Sequence, residues 1–154
     1  MLEQATTRSF IPARVGDVWL ILEAERVQEV VGARPWVPVP HASRLLPGVL
    51  AWRGRAVAVF DLSVLVPGGE HLSLGQVRAR TLIVETDGCL LAMPVDVVRE
   101  VQEVDASRVQ PAGEHAVSHS SVEVEIFGSV APIVDLASLV AAALEARPSA
   151  GHEA

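Results

Sequence analysis

The sequence predicts a mainly β domain built from two similar halves, and three observations carry that expectation. The first is an internal echo. Arg26-Val27-Gln28-Glu29-Val30 returns as Val97-Val98-Arg99-Glu100-Val101, and Val59-Phe60-Asp61-Leu62 with Leu65-Val66 returns as Ile133-Val134-Asp135-Leu136 with Leu139-Val140. Solenoid repeats run about 20–50 residues and need three or more copies. Two copies roughly 70 residues apart read instead as an internal duplication. The second is a series of short apolar runs divided by Gly, Pro and Asp turn signals, the pattern of small barrels or a sandwich. The third is composition: 154 residues, 50% of them hydrophobic, suffice for one domain with a sizeable buried core.

In chain order, residues 1–8 read as a loose polar arm and residues 10–15 as a short strand. Gly16-Asp17 supplies a turn. Val18-Trp19-Leu20-Ile21-Leu22 is a bounded apolar run of strand length, read as a buried strand. Residues 23–30 fit one helical turn or a bent strand equally well. Pro35, Pro38 and Pro40 punctuate a connecting loop. Leu46-Pro47-Gly48 turns into a strand over 49–52, Arg53-Gly54-Arg55 is a tight turn, and 56–60 returns as the second arm of a hairpin. Asp61 caps a helical turn over 61–65. The Gly-rich stretch Pro67-Gly68-Gly69 through Gly75 is the expected joint between the halves, placed near 67–79.

The second half is rich in strands. Residues 80–86 and 89–93 flank Asp87-Gly88, a strong hairpin signal. Residues 97–104 alternate in part, and 112–121 are small, polar and loop-like. Val122-Glu123-Val124-Glu125-Ile126-Phe127 alternates at period two, as a half-exposed strand does. Gly128-Ser129 then turns into a strand over 130–134. From Asp135 to about Arg147, Leu136, Leu139, Val140 and Leu144 recur at helical spacing, with Asp135 as N-cap and Pro148 as the stop. The domain is expected over 9–147, with a disordered tail over 148–154.

Composition also excludes function classes. The net charge is -7, and all twelve cationic residues are Arg. No basic face for nucleic acid is visible. Without Lys there is no Schiff-base, pyridoxal or phosphate-loop lysine chemistry. Cys89 is the lone cysteine, so no intrachain disulfide and no Cys-x-x-Cys site is expected. The N-terminus lacks the basic and apolar regions of a signal peptide, and no apolar run is long enough to span a membrane.

Candidate chemical groups have plain structural readings. His115 and His119 stand four apart, but in a loop with no third metal ligand nearby. His41 and His71 also fall in loops. Ser118, Ser120 and Ser121 lack a Gly-x-Ser-x-Gly elbow. Cys89 beside Leu90-Leu91 reads as a small buried hydrophobe. Glu123 and Glu125 share a solvated strand face, and the recurring Asp61 and Asp135 read as caps. Arg53 stands at a hairpin tip between Gly48 and Gly54. It reads either as a turn arginine or as a planar donor fork offered to a carboxylate or carbonyl of a partner.

The hairpin Gly48-Val49-Leu50-Ala51-Trp52-Arg53-Gly54-Arg55-Ala56-Val57-Ala58-Val59-Phe60-Asp61-Leu62 resembles the signature hairpin of the CheW family, approximately Gly-Val-Ile-Asn-Leu-Arg-Gly, an apolar strand, then Asp-Leu. Arg26-Val27-Gln28-Glu29-Val30, Pro38-Val39-Pro40, Met93-Pro94-Val95-Asp96-Val97-Val98-Arg99-Glu100-Val101, Val109-Gln110-Pro111 and Val134-Asp135-Leu136 continue the likeness in order over roughly residues 10–145. Three positions depart: Ala51 stands for the family's Asn, Trp52 for its Leu, and Ala92 for a Gly common there.

The resemblance implies two SH3-like five-stranded β-barrels packed side by side with a groove between them, short helical turns and a C-terminal helix. It implies a non-catalytic cytoplasmic adaptor with no cofactor and no metal, recruited to receptor arrays. It would couple the cytoplasmic tip of chemoreceptors to the regulatory domain of a CheA-type histidine kinase, with no nucleic acid bound and no direct membrane insertion. Val27 and Val30 are then the apolar contacts for the partner, Glu29 and Arg53 fix register, and Gly48 and Gly54 shape the hairpin. Two other readings stand beside it. One is a paralogue that binds only one of these partners, motivated by Ala51 and Trp52. The other is a small-ligand-binding or hydrolytic β-barrel using the loop from His115 to Ser121.

Overall fold

Three two-residue turns do much of the folding. Arg53-Gly54, Asp87-Gly88 and Phe127-Gly128 each hold both central residues at positive φ (48° and 74°, 51° and 80°, 56° and 78°). That is the hairpin turn whose twist matches the flanking strands. The third lies one residue earlier than the Gly128-Ser129 turn expected from sequence, because the alternation of the preceding strand ends at Ile126. A computed structural model describes residues 6–66, 76–113 and 120–145 of the chain.

The strands are β1 (Thr7–Val15), β2 (Val18–Glu23), β3 (Val27–Gly32), β4 (Val37–Pro38), β5 (Gly48–Trp52), β6 (Arg55–Val59), β7 (Arg80–Thr86), β8 (Cys89–Val95), β9 (Val97–Val98), β10 (Gln102–Asp105), β11 (Gln110–Pro111), β12 (Val122–Ile126) and β13 (Ser129–Ile133). The helix α1 covers Leu136–Glu145, and 3-10 turns cover Ala24–Arg26, Leu62–Leu65 and Ala106–Arg108. The ambiguous stretch 23–30 is thus a helical turn followed by a strand. β1 starts at Thr7, so Thr7 and Arg8 are not part of a loose arm. They pair with Asp105 and Val104 of β10.

Two sheets form among the described residues. One runs β10-β1-β2-β13-β12-β11, with β9 also on β1; the other runs β3-β7-β8-β6-β5-β4. Setting aside the two-residue strands β4, β9 and β11, each sheet keeps five strands. Each wraps its own core. Phe10, Ile21, Val104, Val124, Ile126, Ala131 and Ile133 fill the first barrel. Trp36, Leu50, Trp52, Val57, Val59, Ile83 and Ala92 fill the second.

The duplication is visible in register. Val59 pairs in parallel with Ala92, and Ile133 pairs in parallel with Ile21. The next amide in each case, Phe60 N and Val134 N, donates to the carbonyl of Ala92 and of Ile21 at 2.8 Å. Yet the barrels are not the two copies. The first copy gives β1 and β2 to one sheet and β3–β6 to the other; the second gives β7 and β8 away and keeps β9–β13. The stretch 67–79 therefore separates the copies along the chain but not the barrels, and its residues 67–75 lie outside the described residues.

Exchange places β1, β2, β7 and β8 where both faces are buried. Leu20, Leu22, Leu82, Val84, Leu91 and Met93 point into a third core that joins the barrels, while Ile21, Ile83 and Ala92 between them point into the barrel interiors. This is why Val18 to Leu22 in β2 reads as an unbroken apolar run rather than an alternating one. Leu136, Leu139 and Val140 of α1 pack into the third core. At one edge, Asp96 Oδ2 accepts from Gly16 N at 2.7 Å and from the largely buried Arg78 at 2.8 Å, tying the chain before β7 to the β1–β2 turn.

The two Asp-Leu echoes behave as caps. Asp61 accepts from Ser63 N at 3.0 Å, and Asp135 accepts from Ser138 N at 3.1 Å, each satisfying an amide at a helical start. Cys89 is half-buried against the third core rather than fully enclosed.

Candidate protein-docking site

The β5–β6 hairpin carries Trp52 at the end of one strand and Arg53 at its tip. Leu50 and Trp52 face the barrel interior and are buried. Arg53, the next residue, projects past the rim with 70% of its side chain exposed. Gly54 behind it takes φ 74° with open space around it, so its task is the left-handed turn conformation that L residues avoid. Gly48, at the base of β5, serves differently. A Cβ there would collide with the Val37 carbonyl oxygen and the Trp36 ring, so it lets the 36–38 segment cross close to the strand.

β3 brings the other half of the site. Glu29 and Val31 turn inward while Val30 stands 42% exposed. An irregularity in the β3–β7 register between Val27 and Glu29 resets the alternation. Although β3 and β5 are far apart along the sheet order, the sheet curls until they meet. Glu29 Oε1 accepts from Trp52 Nε1 at 3.1 Å and lies 2.9 Å from an Arg53 guanidinium nitrogen. The Arg53 guanidinium carbon lies 4.9 Å from the centroid of the Trp52 ring, within cation–π range.

Of the residues expected from sequence, Glu29 and Arg53 are thus joined directly, with Gly48 and Gly54 at the two ends of the same hairpin. Val27 and Val30 part company. Val27 packs on the core between the barrels, and Val30 faces solvent. In the sequence Trp52 stands out only as a departure beside Arg53; no local signal marks it as a second donor to Glu29.

The tip of the β12–β13 hairpin is the duplicate of this tip, with Phe127 in the place of Arg53. Phe127 is 62% exposed at φ 56° and meets Trp19 edge-on at 6.5 Å. Beside it, Pro12, Trp19, Val98, Arg99, Phe127 and Val130 help line an open cavity of about 870 Å³. Arg14 and Arg99 stand 6.0 and 5.9 Å from the Trp19 ring. None of the six residues expected to contact a partner or shape the hairpin lines this cavity.

Among the described residues the remaining candidates carry no assembled chemistry. Glu125 meets Arg108 and Glu123 meets Gln110, each at 3.4 Å on an exposed face. His41 is exposed in a loop, and Ser120 donates to the Val122 carbonyl. Among the described residues no group of three His, Cys, Asp or Glu could hold a metal ion. His71, His115, Ser118 and His119, the side chain of Leu144, Arg147 and the 148–154 tail lie outside the described residues. Away from the site, hydrogen bonds from the Ser107 amide and hydroxyl, then the charge of Arg108, hold the Asp105 carboxyl below its ordinary value.

Comparison with known proteins accounts for this architecture. The model of the CheW-like domain matches residues 9–144. The chemotaxis protein CheW of Rhizobium meliloti (strain 1021) is 28% identical over 109 residues, 71% of this chain and 69% of that protein. Protein FrzA of Myxococcus xanthus is 28% identical over 115 residues, 73% of this chain and 71% of that protein. The crystal structure of the scaffolding protein TtCheW from Thermoanaerobacter tengcongensis superposes with a TM-score of 0.70 at 19% identity, covering 84% of this chain and 89% of that one. The chain belongs to the CheW-like domain family. It is a CheW-like adaptor of chemotaxis signalling, and the family's proteins are scaffolds rather than enzymes. No helix among the described residues is long and apolar enough to cross a membrane.

Proposed function

We propose that the chain couples the cytoplasmic tip of chemoreceptors to a CheA-type histidine kinase, and that the β5–β6 tip with β3 is its receptor contact. The observation that carries this is the Glu29–Arg53 pair at 2.9 Å on an exposed rim. A guanidinium held there has donors left for a partner carboxylate or carbonyl, and Val30 adds apolar surface beside Glu29 on β3. Val27 supports the strand from beneath. Coupling requires different contacts with two kinase states, because equal affinity for both would shift nothing. The chain would act in the cytoplasm, recruited to receptor arrays.

The test is retention of the purified chain on an immobilised receptor-tip fragment. Arg53→Glu should lower retention more than tenfold, since it removes the donor and sets a carboxylate against Glu29. Fold is checked alongside: circular dichroism should match wild type and the melting point should fall only a few degrees, because exposed ion pairs contribute about 0–1 kcal/mol. Full retention by Arg53→Glu would remove this tip from the receptor site. Trp52 at the contact favours one narrower reading, a paralogue that binds a single partner. Separate titrations with receptor and kinase fragments decide it, and comparable affinities for both reject it.

A further inference from the structure

Trp52 is the one member of the tip cluster whose chemistry differs from the hairpin form it resembles, where Leu stands. A Leu would fill the same interior position among Trp36, Leu50, Val57 and Ile83. It would bring neither an N–H nor an aromatic face. In this chain both are used, and both act on the same neighbours. The indole N–H donates to Glu29 Oε1 at 3.1 Å, the same oxygen that holds Arg53 at 2.9 Å. The ring lies 4.9 Å from the guanidinium carbon. Trp52 itself is anchored, only 8% exposed. The Arg53 backbone is fixed by the left-handed turn at φ 48°. An exposed arginine normally samples many rotamers and loses that freedom on binding. Here the turn, the carboxylate and the indole have restricted it already.

The duplicate tip shows that the turn does not itself create this arrangement. Phe127-Gly128 repeats the pair of positive φ angles of Arg53-Gly54, but Ile126 replaces the indole and Phe127 the cation. The preset cation belongs to one barrel only.

We propose that Trp52 is a positioning residue for Arg53. Its indole locks Glu29 and backs the guanidinium, so that the hairpin tip meets an acidic group of the docking protein with the cation already in place. The proposal rests on the reading that this tip is the receptor contact. Its affinity gain is the ordering avoided on binding, about 3–10-fold.

The probe is a chemoreceptor cytoplasmic-tip fragment titrated calorimetrically into wild type, Trp52→Leu, Trp52→Phe, Arg53→Ala and the Trp52→Leu/Arg53→Ala double variant. Trp52→Leu should weaken binding about 3–10-fold, and Trp52→Phe, which keeps a ring but loses the N–H, by a smaller factor. In the Arg53→Ala background, Trp52→Leu should change affinity by less than about twofold, because a residue acting through Arg53 has nothing left to position. Melting curves verify folding, and the Phe variant carries the test if the Leu variant does not fold. Wild-type affinity in both Trp52 variants, with Arg53→Ala impaired, would overturn the positioning role and leave the docking site standing. An equal loss from Trp52→Leu with or without Arg53 would assign it a structural role and overturn the proposal. Wild-type affinity in Arg53→Ala would sink the docking site and this proposal with it.

Discussion

Asp61 and Asp135 occupy the same place in the two copies and should differ sharply in what their removal costs. Asp61 is 2% exposed. Its Oδ1 accepts from Ser63 N at 3.0 Å and from Ser63 Oγ at 2.6 Å. Asp61→Ala removes a cap worth about 1 kcal/mol. It also leaves a buried amide and hydroxyl without that acceptor, a further 1–3 kcal/mol or so. The expected loss is about 2–4 kcal/mol, or roughly 5–15 °C in melting temperature for a domain of this size. Asp135 is exposed and accepts from Ser138 N at 3.1 Å, so water can replace it. Asp135→Ala should cost only about 1 kcal/mol, some 2–4 °C. Urea unfolding of both variants beside wild type measures this, with an unchanged slope confirming that the native and unfolded states are comparable. Asp61→Asn, which keeps an acceptor oxygen, should recover much of the loss. Equal losses at the two positions, or a larger loss at Asp135, would refute the claim that burial distinguishes the copies.

Other perturbations separate close approach from backbone conformation and electrostatics from both. Gly48→Ala drives a Cβ into the Val37 carbonyl oxygen and the Trp36 ring and should cost about 1–3 kcal/mol or more by overpacking. Gly54→Ala meets open space and should cost only about 1–2 kcal/mol for the left-handed conformation; chemical denaturation ranks the two. Asp105 has its folded pKa below 3.8. Its contribution is therefore present above that pH and lost as the pH falls from about 4 through the folded value. Asp105→Asn should lower stability modestly near neutral pH, where the carboxylate contributes, and flatten the acid limb of the stability curve in that window. An unaltered acid limb would contradict the assignment.

Much of this architecture is legible in the sequence because it is local. The X-Gly turns, the Asp-Leu caps and the two-fold echo are all written within a few residues. The unbroken apolar run at 18–22 correctly marks a strand buried on both faces. What is not legible depends on pairing over long separations. That β1 and β2 join β12 and β13 rather than β5 and β6 follows from which faces can be buried together, and either pairing satisfies the local pattern. The site shows the same limit. Arg53 and Gly54 stand out at a hairpin tip, but the meeting of Glu29 with Trp52 requires the sheet to curl and leaves no periodic signal. Val27 and Val30 look equivalent in the echo, yet Val27 packs on the core between the barrels and Val30 faces solvent. Gly48 was expected to shape the hairpin; the structure shows it making room for Trp36.

The function proposed for this chain is to join two other proteins. The most direct measurement is co-sedimentation of a CheA-type kinase regulatory fragment with membrane-tethered receptor tips, with and without the chain. Kinase should enter the pellet in proportion to added chain, and Arg53→Glu should leave both chain and kinase in the supernatant. A kinase fraction that is the same whether or not the chain is present would contradict the proposed function.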